Sequence, residues 1–104
     1  MIKEFRINVS DEQISNINYK VKNYPWQSIE DMEGWMHGTN KTYLKEICEY
    51  WVSKFDWKKH EELINSFSNF KTNVEGVDIH FIKEDGSGKN PKPLLLMHGW
   101  PGSI

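Results

Sequence analysis

The sequence predicts an α+β chain in which N-terminal helices are followed by a β-hairpin and a further strand. Three observations predict it. Apolar residues recur at helical spacing between Ser10 and Phe67, the period changes to alternation after Asn69, and a continuous apolar run occupies Leu94 to Met97. That run suits a strand buried on both faces, as in a parallel sheet. The expected division is a helical extension over residues 1–69 and the first strands of a second region over residues 70–104.

Composition limits the function classes. A chain of 104 residues makes one small domain, which buries only about 60–65% of its unfolded surface. Five Trp, five Phe and four Tyr make the apolar residues large ones. Fifteen acids against thirteen bases give a net charge of −2, so the clustered basic face of a nucleic-acid binder is missing. The densest basic cluster, Lys58-Lys59-His60, runs straight into Glu61-Glu62 and reads as a solvated helix face. The single Cys48 excludes an internal disulfide framework and fits a reducing compartment. No secretory apolar core opens the chain, and no stretch reaches membrane-spanning length. The expectation is a cytoplasmic protein without membrane contact.

The elements follow in order. Phe5, Ile7 and Val9 alternate with polar residues and predict a short strand or extended arm. Ser10 with Gln13 forms a capping-box pattern, and Val9 with Ile14 the matching hydrophobic staple. Ile14, Ile17 and Val21 give that helix one apolar stripe, which Asn23-Tyr24-Pro25 ends. Residues 25–40 lack a sustained period and read as an ordered loop, with a helical turn near Ile29–Met36. Trp26 and Trp35 pin this loop onto a neighbouring body; a ligand-stacking wall is the functional alternative.

Leu44, Ile47, Cys48, Trp51 and Phe55 form the continuous apolar face of a second helix, capped by Thr42 or Asn40. Trp51 sits mid-face, and if fully buried its truncation to alanine costs roughly 3–5 kcal/mol. Cys48 shares that face and reads as packing, because no His or Asn is placed to activate it. Asp56 caps a third helix that opens at Trp57 and carries Leu63, Ile64 and Phe67. His60 has no second His at i+4, so a metal site is not expected there. Phe70, Thr72 and Val74, then Val77, Ile79 and Phe81, alternate on either side of a Glu75-Gly76 turn and predict a hairpin. Asp85 to Pro93 is a connection; its Gly-Ser-Gly-Lys lacks phosphate-loop spacing and precedes a strand rather than a helix.

The apolar run ends in His98-Gly99-Trp100-Pro101-Gly102-Ser103. Gly99 and Gly102 allow close backbone approach and unusual dihedrals, and Pro101 fixes its φ angle. Such a turn can hold the Trp100 amide in one direction at the end of a buried strand, where an oxyanion donor belongs. A strand followed by this loop resembles the oxyanion loop of α/β hydrolases.

More of the chain matches than the loop. Tyr50-Trp51, Phe55-Asp56-Trp57-Lys-Lys-His-Glu61, Leu63-Ile64-Asn65, Phe67 and Phe70 resemble the N-terminal region of microsomal-type epoxide hydrolases. Trp35 and Gly38 before that run, and Gly76 with Ile79-His80-Phe81 after it, extend the resemblance from about Phe5 to Ile104. It implies that residues 70–104 begin an α/β-hydrolase core. It also implies a complete enzyme that opens a small-molecule epoxide through an aspartyl ester, needing no metal or organic cofactor. A nucleophilic aspartate, two lid tyrosines and a histidine–acid pair would all lie beyond Ile104.

What maps onto this sequence is the main-chain N–H of Trp100, in the oxyanion hole. His98, Gly99, Pro101 and Gly102 are its loop, and Trp35, Trp51 and Trp57 its structural aromatics. The resemblance also implies a cis Trp100–Pro101 bond, a His98 that orders the loop rather than acting as base, and helices that pack on the catalytic domain. These residues alone are expected to be inactive. The alternatives are a non-catalytic module that binds a partner or forms a homo-oligomer, and another α/β hydrolase such as a haloalkane dehalogenase.

Overall fold

The computed structural model describes residues 1–30 and 34–103. The elements are strand β1 (Lys3–Glu4), helices α1 (Asp11–Lys22), α2 (Lys41–Lys54) and α3 (Trp57–Asn65), and strands β2 (Asn69–Val74) and β3 (Val77–Ile82). They divide into two compact units, one of residues 8–60 and one of residues 1–7 with 61–104.

In the unit of residues 8–60, α1 starts as its sequence dictates. The Ser10 hydroxyl accepts from the Gln13 N–H at 3.2 Å, and the Gln13 side chain accepts from the Ser10 N–H at 3.1 Å. Asp11 and Glu12 occupy the positive end of the helix and Lys20 and Lys22 its negative end, each complementing the backbone dipole. Asn40 rather than Thr42 caps α2, its Oδ1 accepting from the Tyr43 N–H at 2.9 Å. Asp56 Oδ1 accepts from the Lys58 N–H at 3.0 Å at the start of α3. In the loop before α2, Trp26–Ser28 forms a 3-10 turn. The helical turn expected near Ile29–Met36 lies partly outside the described residues.

The apolar stripes of this unit meet. Val9, Ile14 and Ile17 face Trp51, Phe55 and Trp57 around an open hollow of about 320 Å³. The meeting is incomplete: Trp51 is 42% exposed and Phe55 36%. The full burial on which the larger Trp51 truncation cost was conditional is therefore not reached among the described residues. Lys58 also departs from a solvated helix face, since its Nζ donates to the Val9 carbonyl at 2.6 Å. His60 stays exposed and stacks on Phe55 with ring centroids 4.7 Å apart.

In the other unit, β1, β2 and β3 form an antiparallel sheet in that order. The β2–β3 register pairs Phe70 with Phe81, Thr72 with Ile79 and Val74 with Val77, so the alternating apolar residues share one face. Phe70 and Phe81 stack at 5.6 Å across the strands. Glu75 and Gly76 both take positive φ, 51° and 86°. That is the two-residue turn whose twist suits a hairpin. The other face carries Asn69, Lys71 and His80.

Two elements differ from expectation. Of the first segment only Lys3–Glu4 joins the sheet, Phe5 N–H adding one bond to the Asn69 carbonyl at 2.9 Å. The rest is the extended arm, because the amide of Asn65 takes the place of a strand opposite Ile7. The further strand at Leu94–Met97 belongs to no sheet among the described residues, and its four side chains are 80–83% exposed. A strand is defined by the ladder it joins, and none of the described strands runs beside it. The α+β order of helices followed by hairpin stands.

Candidate active-site loop

The loop at the end of the chain is built on one short turn. Gly102 N–H donates to the Gly99 carbonyl at 2.6 Å, closing the four residues Gly99–Gly102, and the Trp100–Pro101 peptide inside them is cis. The close approach expected of the glycines is found at Gly102. A Cβ there would stand 2.9 Å from the Gly99 oxygen and break into the turn. At Gly99 the same test meets open space.

His98 Nδ1 lies 3.4 Å from the Gly99 carbonyl, a long contact beside the shorter turn bond. That carbonyl is therefore committed to the turn. The Trp100 N–H donates to no acceptor among the described residues, and the Trp100 side chain is 98% exposed. An unpaired amide beside a closed turn can receive a hydrogen-bond acceptor from outside the loop.

The structural aromatics lie elsewhere. Trp51 and Trp57 line the hollow of the helical unit. Trp35 stands 5.1 Å from Tyr43 at the start of α2, and Trp26 packs edge-on against Tyr24 at 4.8 Å with Lys45 Nζ above it at 5.9 Å. These contacts hold the loop to the first turns of α2. No group of three His, Cys, Asp or Glu able to hold a metal occurs among the described residues, and none of their helices is long and apolar enough to cross a membrane.

One polar constellation is not announced by any motif. Asn69 is 5% exposed, yet every polar atom of its side chain is used. Its Nδ2 donates to the carbonyls of Ile64 and Phe67, both at 2.8 Å, and its Oδ1 meets His80 Nε2 at 2.8 Å. Because Oδ1 only accepts, the His80 proton sits on Nε2. The Phe5 ring meets the His80 ring edge-on at 5.3 Å, and Lys71 Nζ lies 3.8 Å from the centre of Phe5. Alternation marks His80 as a strand residue; its partner depends on the turn between α3 and β2, which no local pattern specifies.

Residues 2–104 match the family model described as "Epoxide hydrolase N terminus". Epoxide hydrolase 1 of Oryctolagus cuniculus is 42% identical over 99% of this chain and 24% of its own length. The juvenile hormone epoxide hydrolase of Manduca sexta is 37% identical over 98% of the chain and 23% of its own length. Among solved structures, the juvenile hormone epoxide hydrolase of Bombyx mori superposes with a TM-score of 0.86 at 29% identity, covering 99% of this chain and 25% of the other. The Aspergillus niger epoxide hydrolase gives 0.84 at 30% identity, covering 99% and 28%. The chain thus spans about a quarter of the length of these relatives.

Proposed function

The chain belongs to the epoxide hydrolase N-terminal family, and on that premise we propose that it is the opening part of a cytoplasmic enzyme that hydrolyses small-molecule epoxides to diols. In this reading an aspartate outside the present sequence attacks an epoxide carbon, the C–O bond breaks, and an ester forms. Water activated by a histidine–acid pair then hydrolyses the ester. The Trp100 N–H stabilises the oxyanion of that second step, and the Gly99–Gly102 turn holds it in place. The apolar faces of α2 and of the hairpin pack on the catalytic body, and residues 70–104 are its first strands. No metal or organic cofactor takes part.

The observation that carries this reading is the unpaired Trp100 amide next to a carbonyl already satisfied by the turn. An amide aimed at developing charge in a site shielded from water is worth about 10²–10³ in rate. The test replaces the Trp100 amide by an ester linkage in the complete enzyme by semisynthesis. The expected result is a loss of that order in kcat with binding of the epoxide kept. Unchanged kcat would remove Trp100 from the mechanism. These 104 residues alone are expected to give no diol from styrene oxide.

A second reading is favoured by the exposure of Leu94–Met97. Four adjacent apolar side chains with an open backbone edge can pair with a second copy. Light scattering on the isolated chain decides it, a concentration-independent monomer mass counting against self-association.

A further inference from the structure

We propose that Asp85-Gly86 is a site of spontaneous isoaspartate formation. It is the sequence's only Asp or Asn followed by Gly. Both residues are exposed and lie in irregular backbone after β3. The Gly86 N–H donates to no acceptor among the described residues, and the Asp85 carboxylate pairs with none of their donors. A nucleophilic nitrogen and its electrophile are therefore both unengaged, the two ends of a prospective five-membered ring, with no Cβ on the glycine to obstruct closure.

The fold also prevents the obvious escape. A Cβ at Gly86 would stand 2.4 Å from Pro91 Cβ and 3.2 Å from its Cγ. Side chains larger than hydrogen are barred by that packing, so the reactive pair is a by-product of how the connection folds. Other candidates are protected. Asp78 lies within β3, its Oδ1 accepting from Asn73 Nδ2 at 2.8 Å. Asn73 precedes the β-branched Val74 inside β2. Asn90 precedes Pro91, whose nitrogen has no proton to lose.

The chemistry balances with water alone. The Gly86 nitrogen loses its proton and attacks Cγ of the protonated Asp85 carboxyl; the C–N bond forms and one water leaves. The resulting succinimide takes up one water. Addition at Cγ restores aspartate; addition at the Asp85 main-chain carbonyl breaks its bond to the Gly86 nitrogen and leaves the chain running through Cγ. Charge and mass return to their starting values, and the backbone gains one methylene beside Pro91.

The test ages the whole chain in neutral buffer made with heavy-oxygen water at body temperature, then maps peptides by fragmentation that separates the two linkages. The expected result is gain of one heavy oxygen and the isoaspartyl linkage at residue 85, with Asp78 unlabelled, and loss of both in Asp85→Glu, whose six-membered ring closes far more slowly. No label at Asp85, or equal label at Asp78, would overturn the proposal.

Discussion

Asn65 closes both ends of its side-chain amide on a single residue: the Ile7 N–H donates to Oδ1 at 2.8 Å, and Nδ2 donates to the Ile7 carbonyl at 2.8 Å. The pair reproduces what a neighbouring strand would supply, so the arm after β1 is held without a ladder. Replacing Asn65 by leucine removes both partners from a half-buried backbone unit. We expect a loss of about 1–3 kcal/mol, read as a lower urea midpoint and faster hydrogen exchange at the Ile7 amide.

Asn69 should be the more sensitive of the two. Asn69→Asp keeps an acceptor for His80 but turns a carboxylate oxygen toward two carbonyls: Phe67 O loses its donor, and Ile64 O keeps only the Phe67 N–H at 3.2 Å. A loss of roughly 2–3 kcal/mol is expected, from the buried unsatisfied groups. In the unaltered chain, nitrogen-resolved NMR of neutral His80 should report the Nε2–H tautomer. The opposite tautomer would show the Asn69 amide to be turned the other way.

At the hairpin turn, Glu75 carries the positive φ that most side chains resist. Glu75→Asn should raise stability by roughly 0.5–1 kcal/mol, since Asn tolerates that conformation. Gly76→Ala should lower it by about 1 kcal/mol for the converse reason. Thermal unfolding of the two variants measures both signs.

Ser10→Ala removes the capping box of α1 and should cost about 1 kcal/mol. Residue-resolved hydrogen exchange should show lost protection confined to the first turns.

For Trp51→Ala in this chain, a cost of about 1–2 kcal/mol is expected, below the fully buried figure, because part of the ring is already in water. Denaturant titration checks it. A cost near the core value would mean that the α2 face is covered in solution.

Legibility in the sequence followed the range of the interaction. The Ser10–Gln13 box, the Asp56 cap and the Glu75-Gly76 turn each span a few residues, and each stands where the pattern put it. The helices and the hairpin register follow from periodicity for the same reason. The family too was written in the chain, as the spacing of its aromatics and the loop after Met97. What was not legible joins residues far apart. The Asn65–Ile7 clip spans 58 positions and the Asn69–His80 bond needs the hairpin closed first. Trp51 and Leu94–Met97 failed differently. Periodicity says which side of an element wants to be covered, and whether it is covered depends on what else is folded against it.

No hydrophobic residue among those described is buried, while the polar Asn69 and Glu61 are, at 5% and 7% exposure. The heat capacity of unfolding comes chiefly from apolar surface newly exposed to water. A chain whose apolar faces are already wet has little left to expose, so its heat-capacity increment and denaturant slope should both be small for its length. Its stability would vary little with temperature and melt over a broad range, and covering the α2 and hairpin faces would convert that shallow curve into a sharp one.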